Sequence, residues 1–277
     1  MTVINTNTSA AYSQNAMKTN ARFMSKAMEQ LSTGSRVNSA SDDAAGLAIS
    51  QNMTSQIRGL NMAIRNVNDG LNMMQTSEGA MVEQSNMLQR MRELAVQAMN
   101  GTYSNVQRGY LDKEFQELTS QIDQIANDTM WNDQAVLKGS AGAAVTFKFQ
   151  AGQDAEQTIS VIISAMTASG LGITSAAPHD MTSGDSATAA LEAISLALET
   201  INEQRAAIGA GINRMEYAAD NLANISSNQT QSRSTIVDTD YAIATTELAK
   251  TQIIQQASTA MLAQANQQAQ AVMALLK

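Results

Sequence analysis

Cysteine is absent from these 277 residues, and histidine occurs once, at His179. Disulfides, thiolate nucleophiles and cysteine metal sites are therefore excluded. Zinc and other transition-metal sites, which draw on several imidazoles or thiolates, lose nearly all their ligands. Proline is as scarce, with Pro178 alone. Because proline breaks helices, its absence elsewhere permits very long ones. Aromatic residues make up 4% of the chain, and the 44% hydrophobic fraction rests on Ala, Met, Leu, Ile and Val, a mixture that favours helices over strands. No run reaches the ~18 consecutive apolar residues that span a bilayer. The first cation is Lys18 and no apolar core precedes it, so no Sec-type signal peptide is expected. Positive charge is in deficit, 17 Lys and Arg against 25 Asp and Glu for a net charge of -8. A nucleic-acid partner would need a basic face. Neither nucleic-acid binding, membrane insertion nor a cofactor is expected.

What is present is periodicity. Val3, Ala10, Met17, Met24 and Leu31 recur every seven residues, with Ala21 and Met28 between them. Met53, Ile57, Leu60, Ile64, Val67, Leu71 and Met74 step by four and three, and Met81, Leu88 and Ala95 continue half of that pattern. A third, shorter run holds Leu111, Phe115, Leu118, Ile122 and Ile125. The fourth holds Leu191, Ile194, Leu198, Ile201, Ile208, Ile212, Met215, Ala219 and Leu222, with Arg205 intruding. A looser stripe, Ile254, Ala257, Met261, Leu262, Ala265, Ala269, Val272, Met273 and Leu276, runs to the C-terminus. The methionines at heptad spacing read as core rather than as an adaptable binding groove.

Capping chemistry sets the boundaries. Ser39, Ser41 or Asp42 is expected to cap the second run, and Asp185 with Ser186 the fourth. The second helix, from about residue 43 to Met99, would be ~85 Å long at ~1.5 Å per residue. Asn100-Gly101 ends it. Between Gly139 and Gly184 the helical period disappears, and Val145–Phe149 and Thr158–Ile163 read as two strands of a hairpin. A hairpin is marginal alone, so it must lean on the helices.

The expected fold is mainly α: a long antiparallel, coiled-coil-like bundle formed by N- and C-terminal segments, with a small β-hairpin at about 145–163. Residues 1–42 and 235–277 form a terminal helical pair, 43–234 a bundle with the hairpin, and 139–186 a short variable region. The terminal stripes are built of Ala and Met among Gln, Asn and Ser, too little apolar area to offset chain entropy. Other copies of the chain are the economical cover, and head-to-tail contacts that do not close generate an open helical polymer.

Several long motifs then point one way. Leu31-Ser-Thr-Gly-Ser-Arg-Val-Asn-Ser-Ala-Ser-Asp-Asp-Ala-Ala-Gly-Leu-Ala-Ile-Ser50 and Gln89-Arg-Met-Arg-Glu-Leu-Ala-Val-Gln97 resemble the N-terminal signatures of the bacterial flagellin family. Asp238-Thr-Asp-Tyr-Ala242, Gln252-Ile-Ile-Gln-Gln-Ala257 and Ala263-Gln-Ala-Asn-Gln267 through Leu275-Leu-Lys277 resemble the C-terminal one. The resemblance covers residues 1 to about 138 and about 187 to 277. It implies a non-enzymatic structural protein, a minimal flagellin that polymerises into the filament used for motility. Its terminal helices would line an inner tube and its bundle an outer one. It implies export without a cleaved signal peptide, through the flagellar type III channel, to an extracellular filament. Its implied partners are copies of itself, an export chaperone at the C-terminal helix, hook-associated junction and cap proteins, and an animal Toll-like receptor. The stripes put polymer contacts at Met17, Met24, Leu31, Ile254, Met261, Leu262, Val272 and Leu276. The family's receptor-contacting Arg, Leu and Glu correspond to Arg90, Leu94 and Glu114.

Alternatives are weaker. Asp42-Asp43 reads as a helix cap before a paired-carboxylate acid/base site. Gly209-Ala-Gly211 lacks the strand and third glycine of a dinucleotide loop. His179-Asp180 has no placed nucleophile, and one histidine cannot make the His-Glu-x-x-His of a zinc protease. A hook-to-filament junction protein is the related alternative. A chemoreceptor-like hairpin would need a tight helical tip where this chain has a Gly/Ala-rich region.

Overall fold

Five helices and two short hairpins make up the described residues, 6–139, 143–173 and 181–274, of the computed structural model. In chain order they are α1 (Thr8–Thr33), α2 (Ala44–Ala98), α3 (Asn105–Asp128), β1 (Met130–Trp131), β2 (Gln134–Ala135), β3 (Val145–Gln150), β4 (Thr158–Ile163), α4 (Gly184–Val237) and α5 (Tyr241–Ala274). Pro178 and His179 fall outside the described residues. The chain divides into two units, Met1–Ile57 with Ser227–Lys277, and Arg58–Ser226. Those limits lie inside α2 and α4 rather than at the expected 42/43 and 234/235, because both helices run through without a break.

In the unit Arg58–Ser226, heptad spacing becomes burial. Leu60, Val67, Met74, Met81, Leu88 and Ala95 form one buried column along α2, and Ala187, Ile194, Ile201, Ile208, Met215 and Leu222 one along α4. Each helix carries a second buried column, offset by three residues and made, Met91 apart, of small or polar side chains: Ala63, Gly70, Ser77, Gln84, Met91 and Ala98 on α2, and Ala190, Ala197, Gln204 and Gly211 on α4. Two such columns widen the apolar stripe enough to pack neighbours on both sides. Gln84 Nε2 donates to the Ile122 carbonyl of α3 at 3.3 Å, and Arg205 Nη2 of α4 lies 3.7 Å from Glu78 Oε1 of α2. Arg205, the residue that intrudes on the fourth apolar run, thus meets an opposite charge on α2.

The hairpin β3/β4 pairs Val145 with Ile163 through Gln150 with Thr158, as expected, and seats on the small-residue columns. A Cβ built on Gly70 would meet the Phe149 ring at 2.7 Å, and one on Gly211 would meet Val161 at 3.2 Å. The absent side chains make room for the sheet. Helix side chains then satisfy the backbone that follows. Gln204 Oε1 accepts from Ser164 N (3.2 Å) while its Nε2 donates to Ile162 O (2.8 Å), standing in for a third strand. Gln84 Nε2 also donates to Met166 O (2.9 Å), Asp123 accepts from Ala168 N (2.7 Å), and Asp112 accepts from Met181 N (2.9 Å). Buried backbone must find such partners. The sequence carried no expectation of β1/β2, a two-residue turn with Asn132 and Asp133 at φ 48° and 62°.

In the other unit α1 and α5 run antiparallel. Asn7 Nδ2 donates to Ala265 O (3.1 Å), Asn20 Nδ2 to Thr251 O (2.8 Å) and Tyr241 OH to Leu31 O (3.3 Å), so one register holds along the pair. Gly34, at φ 70°, ends α1 in the left-handed conformation that favours glycine.

The expected cap of α2 is displaced by one residue. Asp43 Oδ1, rather than Ser39, Ser41 or Asp42, accepts from a first-turn amide, Gly46 N at 2.8 Å. At α4 the cap is Ser183, whose Oγ accepts from Ser186 N. Asp42 instead closes the loop before α2: Lys26 Nζ lies 2.8 Å from its Oδ1, while Asn38 N, Ser39 N and Ser39 Oγ donate to its Oδ2. The Lys26 contact, and after it the Ser39 bonds, lower its pKa from an ordinary 3.8 to about 2. A lowered carboxylate pKa contributes stability that is fully present above the unfolded value and lost as pH falls through the folded one. The loop should therefore hold above about pH 4 and loosen towards pH 2. Asp42→Asn should abolish that transition in the amide NMR shifts of Asn38 and Ser39; a transition of undiminished amplitude in the variant would contradict this assignment.

Candidate functional site

The α1/α5 pair is where folding leaves most unfinished. Asn20 and Ala27 are the buried residues of α1 within the described chain, and Ala244 and Thr251 those of α5. Small buried side chains let the two backbones approach closely but hide little apolar surface. Around that seam large hydrophobics stay in solvent: Tyr12 is 82% exposed, Phe23 56%, Ile243 70%, Ile253 66% and Met261 62%. Exposed hydrophobics also occur elsewhere, Val106, Tyr110, Leu196 and Tyr217 among them, but those of α1 and α5 flank a seam that buries little apolar surface of its own.

One side of the pair is concave. Tyr12, Ala16, Thr19 and Phe23 of α1 face Glu247, Lys250, Thr251 and Ile254 of α5 across a groove of about 590 Å³. Tyr12 and Phe23 are eleven residues apart, about three helical turns, which puts both on one edge of α1. Glu247 and Lys250 pair with each other at 3.3 Å, so the groove wall carries no unmatched charge from them. An aromatic and aliphatic surface with a polar floor suits another helix.

The expected polymer contacts divide accordingly. Ile254 lines the groove, and Met261, seven residues on, is exposed on the same face of α5. Met17, Met24 and Leu31 are half-buried, on the side of α1 that carries Asn20 and Ala27, and Leu262 is half-buried on α5. The side chains of Val272 and Leu276 lie outside the described residues. Tyr12 and Phe23 were not expected, because the heptad template follows the covered face and they sit beside it. Their eleven-residue spacing was the available signal.

A second polar surface lies in the unit Arg58–Ser226. Arg90 of α2 donates through Nε and Nη2 to Glu114 Oε1 of α3, at 3.0 and 2.9 Å, and through Nη1 to Glu93 at 2.9 Å. Hydrogen bonds to Glu93 and then Glu114 raise its pKa further above the ordinary arginine value. Arg90 and Glu114 are both exposed, as a contact surface requires. Leu94 is not. It is 1% exposed and belongs to the core cluster, because it lies beside the Ala95 column. The expected trio therefore reduces to an exposed ion-paired couple with its third member beneath the surface.

Nearby, Gln89, Arg92, Leu198, Glu199, Glu203 and Arg205 line a groove of about 690 Å³. Among the described residues no His, Asp and Glu cluster could hold a metal ion, and no helix is long and apolar enough to cross a membrane. Of the adjacent carboxylates, Asp43 caps α2 and Asp42 is held by Lys26 of α1 and by Asn38 and Ser39 of the preceding loop.

Comparison with known proteins accounts for this arrangement. Residues 4–142 match the bacterial flagellin N-terminal helical region, and residues 191–276 match the bacterial flagellin C-terminal helical region. A flagellin of Halalkalibacterium halodurans is 42% identical over 99% of this chain and 100% of its own length. A flagellin of Bacillus subtilis is 41% identical, with 99% of each chain covered. The crystal structure of Bacillus cereus flagellin aligns at 28% identity and a TM-score of 0.48, covering 57% of this chain and 88% of that one. Two family regions in their expected order, joined by a bundle whose terminal helices lie uncovered, make this chain a member of the bacterial flagellin family, the structural subunits of the flagellar filament.

Proposed function

We propose that this chain polymerises by coupled folding of its ends, with α1 and α5 lining the inner tube of the filament and Arg58–Ser226 building the outer one. The observation that carries the proposal is the contrast between α1/α5, with Ala27 and Ala244 as their buried hydrophobics among the described residues, and the continuous core of Arg58–Ser226. Neighbouring subunits would cover Tyr12, Phe23, Ile254 and Met261, and the area gained would offset the entropy of ordering the helices. The test is amide exchange on the dilute chain and on polymerised material, with electron microscopy to score filaments. Residues 8–33 and 241–267 should exchange freely in the monomer and become protected in filaments. Protection of both segments in a dilute monomer would sink the proposal.

Export fits the same reading. An end that is unfolded before assembly can pass the flagellar type III channel without a cleaved signal peptide, and the subunit then works outside the cell. The exposed Ile243, Ile253, Ile254 and Met261 are the surface that an export chaperone on the C-terminal helix would shield. Hook-associated junction and cap proteins would meet the same helices at the two filament ends.

Recognition by an animal Toll-like receptor is proposed on Arg90 and Glu114 alone. Leu94→Ala would act through packing. An Arg90→Ala/Glu114→Ala variant should lose at least about tenfold in receptor-reporter potency, the scale expected when charged contacts are removed from an interface. Unchanged potency would remove the receptor from the partners.

A further inference from the structure

Methionine is a side chain that oxidation converts from apolar to polar after synthesis. The core methionines Met73, Met74, Met81, Met91, Met166, Met181 and Met215 are all 3% exposed or less, whereas on the α1/α5 pair Met261 is 62% exposed and Met28 46%. Met261 lies seven residues beyond the groove-lining Ile254, on the same face of α5. The register fixed by Asn7 with Ala265 and Asn20 with Thr251 sets it level with the exposed aromatic Tyr12. An accessible thioether thus stands at one end of the apolar groove that assembly must fill.

The geometry points to Met261 as a sulfoxidation site that gates assembly, with a peroxide as the oxidant. This rests on the filament reading of the α1/α5 pair. The sulfur lone pair attacks the distal oxygen of hydrogen peroxide, so an S–O bond forms as the O–O bond breaks. The sulfur is oxidised by two electrons and the peroxide reduced. The transferred oxygen loses its proton to the departing hydroxide, which leaves as water. The product is a polar sulfoxide where an apolar side chain stood.

In the dilute monomer this change is tolerated, because water solvates the new oxygen. In the filament it is not, since burial against a neighbour's apolar face strips that solvation without supplying a donor. The critical concentration for assembly should rise by at least about tenfold, the scale of one buried, unsatisfied polar group. Once polymerised, the same thioether is covered and reacts slowly. The device therefore acts on subunits before incorporation and spares finished filaments.

The experiment treats full-length monomer with hydrogen peroxide, confirms the +16 Da product at Met261 by peptide mass spectrometry, and measures seeded elongation. Treated native chain should elongate poorly and recover after methionine sulfoxide reductase. Met261→Leu should elongate normally before and after peroxide, although Met17, Met24 and Met28 of α1 and the exposed Met62, Met99 and Met130 remain oxidisable. Met261→Gln, close to the sulfoxide in size and polarity, should be impaired without treatment. Oxidised Met261 with undiminished elongation, or Met261→Leu that loses elongation on treatment, would overturn the inference. Untreated native chain that never elongates would overturn the filament reading and this inference with it.

Discussion

A chain lacking residues 1–30, or one lacking residues 245–277, should remain soluble and folded yet fail to extend filament seeds. The core of Arg58–Ser226 draws nothing from either deleted segment. Its helical signal and cooperative unfolding should survive, with a denaturation midpoint within a few tenths of the native one. Assembly should fall below detection, a loss of at least about a hundredfold, since removing one of α1 and α5 strips the other of the partner that sets its register. Sedimentation and electron microscopy read the loss, and circular dichroism reads the retained bundle. Elongation by either truncated chain would show that the exposed apolar set of α1/α5 is incidental. Collapse of the remaining bundle would show that its core is not self-sufficient.

The largest single-residue effect is expected at Gly70. Its position in the small-residue column of α2 admits the Phe149 ring to within 2.7 Å of where a Cβ would stand. Gly70→Val should force the hairpin away and destabilise the bundle by about 3 kcal/mol, the upper end of the overpacking range. Gly79 supplies the control on the same helix, since a Cβ there meets nothing within 4 Å. Gly79→Ala should stabilise by roughly 0.5–1 kcal/mol, because alanine restricts the unfolded chain and suits a helix. Urea denaturation measures both. Effects of the same sign would show that the hairpin does not seat on Gly70. A Phe149→Ala/Gly70→Val double variant should recover part of the loss.

The opposite signs expected for two glycines in one helix also show what the sequence made legible. Bulky heptad positions such as Val67 and Met81 announced α2, and the helices and β3/β4 stand where periodicity put them. The second column was hidden because burial there is carried by Gly70, Ser77 and Gln84, which no hydrophobic template counts. Leu94 was misplaced for a related reason: the signature located it beside Arg90, but one helical step separates an exposed edge from the core. The β1/β2 turn escaped because Asn132-Asp133 lacks the glycine that usually signals left-handed turn residues. At the groove the heptad count marked Ile254 and Met261 and missed Tyr12 and Phe23, since aromatic edges follow three full turns rather than seven residues.

The clamps on the irregular segment carry a practical consequence. Asp123 holds Ala168 and Asp112 holds Met181, so both ends of the intervening stretch are tethered to one helix. Those anchors are eleven positions apart on α3, about 16 Å along its axis. Foreign sequence can be grafted between them provided that Leu171 and Ile173, which belong to the core beneath, are kept. The segment is thereby a ready insertion port, and a lattice of such subunits would display its cargo at each repeat.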